Sequence, residues 1–253
     1  MSLSKDGLLN LSLSRRRWEW DEEKIQSRQL PDDVASFLVS TTQSLPEEVI
    51  SALSVLSCFG IQSEYTVIQK LEAVLGFSLV QPLELAAAEG LLDRINGSYV
   101  FCHDKVQEAV YGTIKAEERC LLHFKYGVAL VPPALELKAD GIDGLLFIAA
   151  NQINMGGPKA VSDDGQIVIL AHLNLQAGYS AMEMSDYSSA YSYFDHGISF
   201  LRKNDWEENY DLSLQLFDAA AVSVFLATFY STLSKMNANI CIVFRNPLLQ
   251  LET

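Results

Sequence analysis

The dipeptide Asn96-Gly97 stands between two short strand-like runs, Leu91-Leu92-Asp93-Arg94-Ile95 and Ser98-Tyr99-Val100-Phe101. Both turn residues tolerate the positive φ of a two-residue hairpin loop, so Asn-Gly in this setting is the strongest short-range hairpin signal. It constrains the fold because helix signals lead into it. Pro31-Asp32-Asp33 opens one helix, with acids in the first turn to meet the helix dipole and Val34, Phe37 and Leu38 at helical spacing. Ser44-Leu45-Pro46-Glu47-Glu48 opens another, carried by Val49, Ile50, Leu53, Leu56 and Cys58 and closed at Gly60. A third runs near residues 64–75 and stops at Gly76, and a fourth near 81–89 is capped by Gly90. Three helices followed by a hairpin predict a winged helix-turn-helix pattern.

Winged helices often read DNA, and charge decides against that here. The chain has 253 residues and a formal net charge of −14. Between Asp32 and Glu108 there are eleven acids against three bases, a net of −8. The segment at the recognition-helix position, residues 81–90, has no Lys or Arg and carries Glu84 and Glu89. Base readout and phosphate contact both need donors that are absent from it. A winged helix that packs on protein is expected, with no nucleic-acid partner.

Before the helices, Leu9, Leu11 and Leu13, then Trp18 and Trp20, alternate with polar residues. Period two predicts a first hairpin that turns near Ser14 and Arg15. The run Arg15-Arg16-Arg17 fits a solvated strand edge, where charge blocks aggregation, better than a phosphate contact.

Beyond the Asn-Gly hairpin, helices are predicted at 103–113 and 116–130, with Val131-Pro132-Pro133 as a break. A further helix is predicted near 142–153, then a loop at Met155-Gly156-Gly157-Pro158. From Asp163 the character changes. Ala171, Leu175, Ala177-Gly178 and Ala181 put small residues on one helix, and Asp186-Tyr187 starts the next, with Ala190, Tyr193, Phe194, Gly197 and Leu201. Small residues let paired helices approach and an aromatic ring fills the gap, as in tetratricopeptide-type hairpins. An ordinary helical bundle is the competing reading. Residues 205–229 and 232–244 are predicted as the next helix pair. The fold class is therefore mostly α: a winged-helix-like module with small β-hairpins, followed by TPR-like helical hairpins.

Apolar residues make up 49% of the chain, enough for a sizeable core. Cys58, Cys102, Cys120 and Cys241 form no C-x-x-C pair, which predicts reduced, mostly buried thiols rather than a metal or disulfide framework. The first residues lack the basic-then-apolar order of a secretory signal, so Asn10-Leu11-Ser12 and Asn96-Gly97-Ser98 read as chance matches to the glycosylation pattern, and a cytoplasmic location is expected. The uncharged run Ala219–Ser234 is shorter than the roughly 20 apolar residues of a spanning helix and contains Ser and Thr, so a buried helix is expected and no membrane insertion.

No phosphate-cradling G-x-x-x-x-G-K-[ST], no G-x-G-x-x-G, no G-x-S-x-G and no H-E-x-x-H occurs, and His103, His123, His172 and His196 are dispersed. The conspicuous polar cluster is Phe101-Cys102-His103-Asp104, where the hairpin gives way to a helix. Asp104 there suits the helix dipole. His103 can donate to a phosphate oxygen or pair with an acid. On the residues alone, a helix cap with a structural histidine is favoured.

Several longer phrases resemble a known family. They are Arg17-Trp18-Glu19-Trp20-Asp21, Leu30-Pro31-Asp32-Asp33-Val34, Glu89-Gly90-Leu91-Leu92, and the run from Tyr99 through His103-Asp104 to Tyr111. Asn151-Gln152-Ile153-Asn154 and Leu173-Asn174-Leu175-Gln176-Ala177-Gly178 follow. They resemble the STAND-like predicted ATPase region (Orc1-like AAA ATPase family) of large sensor histidine kinases and serine/threonine kinases. The resemblance spans nearly the whole chain and weakens after about Ala221, where only Lys235-Met236-Asn237 and Val243-Phe244-Arg245-Asn246 look familiar.

The resemblance implies an organisation. Residues 1–30 would be the end of an ATPase lid with a β-hairpin, and 31–130 a winged-helix-like regulatory module. Residues 131–162 would be a linker with a helix, and 163–253 truncated TPR-like repeats. The phosphate-binding part of the family is missing, so the chain is expected not to be an enzyme. ATP or ADP and Mg belong to the missing ATPase domain, and no cofactor is expected here. The resemblance also makes His103 and Asp104 nucleotide-sensing candidates, since a His-Asp pair in related modules contacts the nucleotide's phosphate and holds a closed state. The function implied is a regulatory and interaction region of a kinase-associated signalling ATPase, with protein partners or the adjoining ATPase and kinase domains. The alternative is a free-standing helical-repeat adaptor.

Overall fold

The computed structural model describes residues 9–12, 17–20, 45–137, 144–161 and 164–245. The helix predicted from Pro31 and the turn predicted near Ser14 and Arg15 lie outside them. The chain is mostly α, with ten α-helices among the described residues. It divides into two compact units, Met1–Lys115 and Ala116–Thr253.

In the first unit, β1 (Leu9–Ser12) pairs antiparallel with β2 (Arg17–Trp20), Leu9 opposite Trp20 and Ser12 opposite Arg17. Helix α1 (Glu47–Ser57) begins after Pro46, whose fixed φ suits a helix start, and carries Glu47 and Glu48 in its first turn. Strand β3 (Gln62–Glu64) runs straight into α2 (Tyr65–Leu75). That helix ends at Gly76, which takes a left-handed φ of 73° and donates its N–H to the Glu72 carbonyl. Helix α3 (Val80–Ala88), the hairpin β4 (Leu92–Ile95) and β5 (Ser98–Phe101), and helix α4 (Asp104–Thr113) follow. Asn96 and Gly97 both have positive φ, 50° and 78°, as the predicted turn requires.

The sheet has the order β3-β5-β4, antiparallel throughout, with Ser63 opposite Tyr99 and Arg94 opposite Tyr99 on its other side. β3 was not predicted. Three residues are too few to show a period, and the strand exists because β5 offers a free edge. Helix α1 packs on α3 and α4, and α3 packs on β4. Leu53 and Leu56 of α1, Ile68 and Leu71 of α2, Leu83 of α3, and Leu92 and Tyr99 of the hairpin meet in a core closed to solvent. Each such side chain contributes about 1.5–3 kcal/mol by leaving water. The connection from α2 to α3 is held by one carboxylate: Glu72 Oε2 accepts the backbone N–H of Leu79 at 2.6 Å and of Val80 at 2.7 Å. It satisfies two of the donors that a helix start leaves open.

The second unit contains α5 (Ala116–Leu137), α6 (Gly144–Gly156), α7 (Asp164–Glu183), α8 (Tyr187–Phe200), the short α9 (Asp205–Glu208) and α10 (Tyr210–Arg245). The sequence carries the first module to residue 130; the contacts divide the chain at 115/116 and place α5 against α6. Helices α7 and α8 pack on each other and both touch α10. Glycine allows the closest approaches. A Cβ on Gly127 of α5 would lie 2.7 Å from Ile153 of α6, and one on Gly178 of α7 would run into the ring of Phe194 of α8. The Asp186 side chain caps α8, accepting the Ser189 N–H at 3.1 Å.

Three expectations are corrected. Val131-Pro132-Pro133 does not break the chain, and α5 continues to Leu137. A proline costs a helix roughly 3 kcal/mol, but the preceding turns are buried through Tyr126, Ala129, Leu130 and Val131, and that packing outweighs the local cost. The two helices predicted at 205–229 and 232–244 are instead α9 and one continuous helix, α10. Within α10 the hydroxyls of Thr228 and Thr232 donate back to the carbonyls of Val224 and Thr228 at 2.9 and 2.8 Å, absorbing their polarity within the helix. The uncharged run was expected to be buried. Its part up to Thr232 lies in a 23-residue stretch, Tyr210–Thr232, whose most apolar 18-residue window has mean hydropathy 1.7 and is only 33% buried. Among the described residues this is the one helix long and apolar enough to cross a membrane by length and composition.

Candidate functional site

The chain leaves β5 at Phe101, and the Cys102 N–H donates to the Leu91 carbonyl at 3.1 Å, closing the base of the hairpin. His103 is extended (φ −154°) and forms the N-cap of α4, its Nδ1 accepting the Lys105 N–H at 3.1 Å. Asp104 Oδ1 accepts the same N–H at 2.7 Å and also touches His103 Nδ1. The two roles of Nδ1 are alternatives. Acceptance from Lys105 needs its lone pair, and attraction to the carboxylate needs its proton. Both side chains are more than half exposed, at 57% and 59%. The structure thus brings the two candidate residues together in the open, at the positive end of a ten-residue helix. The Asp104 carboxylate already occupies part of that end. Lys105 Nζ is held by Glu108 at 2.6 Å, a contact that raises the Lys105 pKa.

A second polar cluster ties α3 to the hairpin. Glu84 Oε1 accepts the Tyr99 hydroxyl at 2.7 Å and pairs with Arg94 at 3.0 Å. The Arg94 guanidinium lies over the rings of Tyr65 and Tyr99, 5.2 and 5.5 Å from their centroids. Burial, and then the hydrogen bond to Glu84, push the Tyr99 phenol well above its usual range, so it stays a donor. Glu84 was read from sequence only as an acid in the wrong place for DNA. Its role depends on Arg94 and Tyr99, which the hairpin register alone brings opposite each other.

In the second unit an open groove of about 550 Å³ runs between α6 and α8, lined by Asn151, Asn154, Met155, Ser192, Tyr193 and His196. The Tyr193 hydroxyl donates to Asn151 Oδ1 at 2.9 Å. Behind it, Asn154 and the fully buried Asn174 exchange amide hydrogen bonds in both directions, at 2.8 and 3.0 Å. The groove offers hydroxyls, amides and an imidazole.

The histidines are not gathered. His123 is buried with its Nδ1 2.7 Å from Gln152 Oε1, His172 is exposed, and His196 Nδ1 lies 2.6 Å from the Ser192 carbonyl. Among the described residues no group of three or more His, Cys, Asp or Glu is placed to hold a metal ion. The thiols also need correction. Cys58 is buried and its thiol donates to the Ser54 carbonyl at 3.4 Å, but Cys102 and Cys120 are exposed free thiols. They stand at the end of the hairpin and in the first turns of α5, positions whose exposure no periodicity signals. Partial burial, then the Asp93 carboxylate, push the Cys102 thiol up, away from an activated thiolate. Set against protein-family models, curated proteins and solved structures, the chain matches none of them.

Proposed function

We propose that the chain is the regulatory and interaction region of a STAND-type signal-transduction ATPase associated with a protein kinase, coupling nucleotide state to partner binding. In this reading the first unit is a winged-helix module and the second a set of TPR-like hairpins. The order helix, strand, helix, helix, hairpin supports the first part. The seating of Phe194 against Gly178 supports the second. Helix α3, without a base, suits a protein partner rather than nucleic acid, and the setting is the cytoplasm.

The observation that carries the reading is the exposed His103–Asp104 pair immediately beyond β5. A phosphate brought by a neighbouring nucleotide domain would accept a hydrogen bond from an imidazole N–H of His103. Asp104 would orient it. Nucleotide contact would then favour one docking of the module, and nucleotide loss would release the helical unit for its partner. ATP and Mg belong to the separate nucleotide domain.

Titration of the chain and of His103→Ala with labelled ADP and ATP tests this. No saturable binding by either protein accords with a regulatory arm whose site is completed elsewhere. Saturable binding abolished in the variant places a complete nucleotide site on this chain and overturns the division of labour. Binding unchanged in the variant removes His103 from the mechanism. A second reading, a free-standing adaptor, rests on the open polar groove between α6 and α8, which can seat a peptide.

A further inference from the structure

The turn that closes the β4–β5 hairpin also carries a reactive pair. Asn96-Gly97 is the only Asn-Gly in the chain, and both residues are exposed. The backbone nitrogen that follows an asparagine is placed to attack that asparagine's own side-chain carbonyl carbon. A side chain on the following residue hinders the attack by crowding the ring that forms. A hydrogen bond that holds the attacking N–H hinders it too, as does burial away from water. None of these protections acts here. Gly97 has no side chain, and nothing lies within 4 Å of where a Cβ would stand. Its carbonyl accepts the Tyr65 N–H at 2.8 Å, but its own N–H has no acceptor among the described residues. Every other asparagine of the chain is followed by a residue with a Cβ. Asn151, Asn154, Asn174 and Asn209 are also held by side-chain hydrogen bonds.

We propose that Asn96 is a site of spontaneous deamidation through a succinimide with Gly97, and that its isoaspartate product releases the start of α2 from the hairpin. The reaction balances with water as the only co-reactant. The Gly97 nitrogen gives up its proton and bonds to Asn96 Cγ. The Cγ–Nδ2 bond breaks, and the amide nitrogen leaves as ammonia with that proton. Water then opens the ring at either carbonyl. Opening at Cγ restores the ordinary backbone with aspartate in place of asparagine. Opening at the backbone carbonyl leaves the main chain running through Cγ, as isoaspartate. Both products carry a new carboxylate.

The position gives the change a structural consequence. Turn length fixes the register that sets Ile95 opposite Ser98. Isoaspartate adds a main-chain carbon to that tight loop. The Gly97 carbonyl is what the first N–H of α2 bonds to, one of the donors that a helix start leaves open. A longer turn displaces this carbonyl, and the junction of β3 with α2 loses its hold on the hairpin.

Ageing of the full chain in mildly alkaline buffer, followed by peptide mass mapping, tests the proposal. The expected result is an amide-to-acid mass gain in the peptide that contains Asn96, resolved into aspartyl and isoaspartyl forms. The rate is expected to rise with pH, because the attacking nitrogen must lose its proton. Asn96→Gly, whose glycine accepts the φ of 50°, is expected to show no gain there. Hydrogen exchange at the Tyr65 amide is expected to be faster in the isoaspartyl chain than in the fresh one. A gain that appears in urea but not in buffer would mean that the folded hairpin protects the site, and overturns the proposal. Conversion of Asn151 or Asn204 as fast as that of Asn96, or an aspartyl product without isoaspartate, overturns it as well. Unchanged exchange at Tyr65 overturns the release of α2.

Discussion

The two units are held together by opposite means. The first closes around bulk: Leu53, Leu56, Leu83, Leu92 and Tyr99 fill a small core beneath a three-stranded sheet. Its glycines, Gly76, Gly97 and Gly112, have open space where a Cβ would stand. The second closes by leaving things out. Gly127, Gly156, Gly178 and Gly197 sit where a neighbouring helix already fills the Cβ position. One unit is therefore vulnerable to lost volume and the other to added volume, because both interiors are packed at close to crystal density.

The contrast can be broken by a short series of variants read by urea unfolding. The largest effect is expected for Leu83→Ala, which empties a fully buried site in the first unit and costs about 3–4 kcal/mol. Next is Gly178→Ala. It improves helix propensity yet is expected to lose about 2 kcal/mol, because the new methyl meets the Phe194 ring. Asn174→Ala strands the Asn154 amide and is expected to cost about 2 kcal/mol or slightly less. Gly112→Ala, the same exchange as at Gly178 but in α4 with nothing near, is expected to gain about 0.5–1 kcal/mol. A loss at Gly112 or a gain at Gly178 would dissolve the comparison.

The smallest effect is a pH dependence in the second unit. The hydrogen bonds to Ser189 hold the Asp186 carboxyl below its ordinary range. Its folded pKa lies under its unfolded one, so the cap contributes fully above the unfolded value of about 3.9 and fades as pH falls through the folded value. Asp186→Asn keeps the cap and removes the titration. Its stability is expected to change less than that of the parent below about pH 4.

What the sequence revealed followed local chemistry. Asn96-Gly97, Gly76 and Asp186 act on their own residues and neighbours, and each sits where it was expected. The closeness of Phe194 to Gly178 was legible too, since small and aromatic residues recur at helical spacing. The misses depended on tertiary context. β3 exists because β5 has an edge to offer. The helix passes Pro132-Pro133 because of what its upstream turns bury, and α10 runs unbroken where two helices were expected. Of the candidate site, the adjacency of His103 and Asp104 was visible, but not that both compete for the one N–H of Lys105. The Glu84–Tyr99–Arg94 cluster was hidden, because it spans three elements that only the register aligns.

The reciprocal amides of Asn154 and Asn174 do something that leucines cannot. An apolar face meets its neighbour almost as well after sliding by one helical turn of about 5.4 Å, since one aliphatic side chain substitutes for another. Two carboxamides that each give and take a hydrogen bond match at a single phase of α6 along α7. In a unit whose glycines make the helix surfaces smooth, this pair acts as a detent. It fixes where the helices stop, and α8 inherits that setting through the bond from Tyr193 to Asn151, one turn away on the same helix.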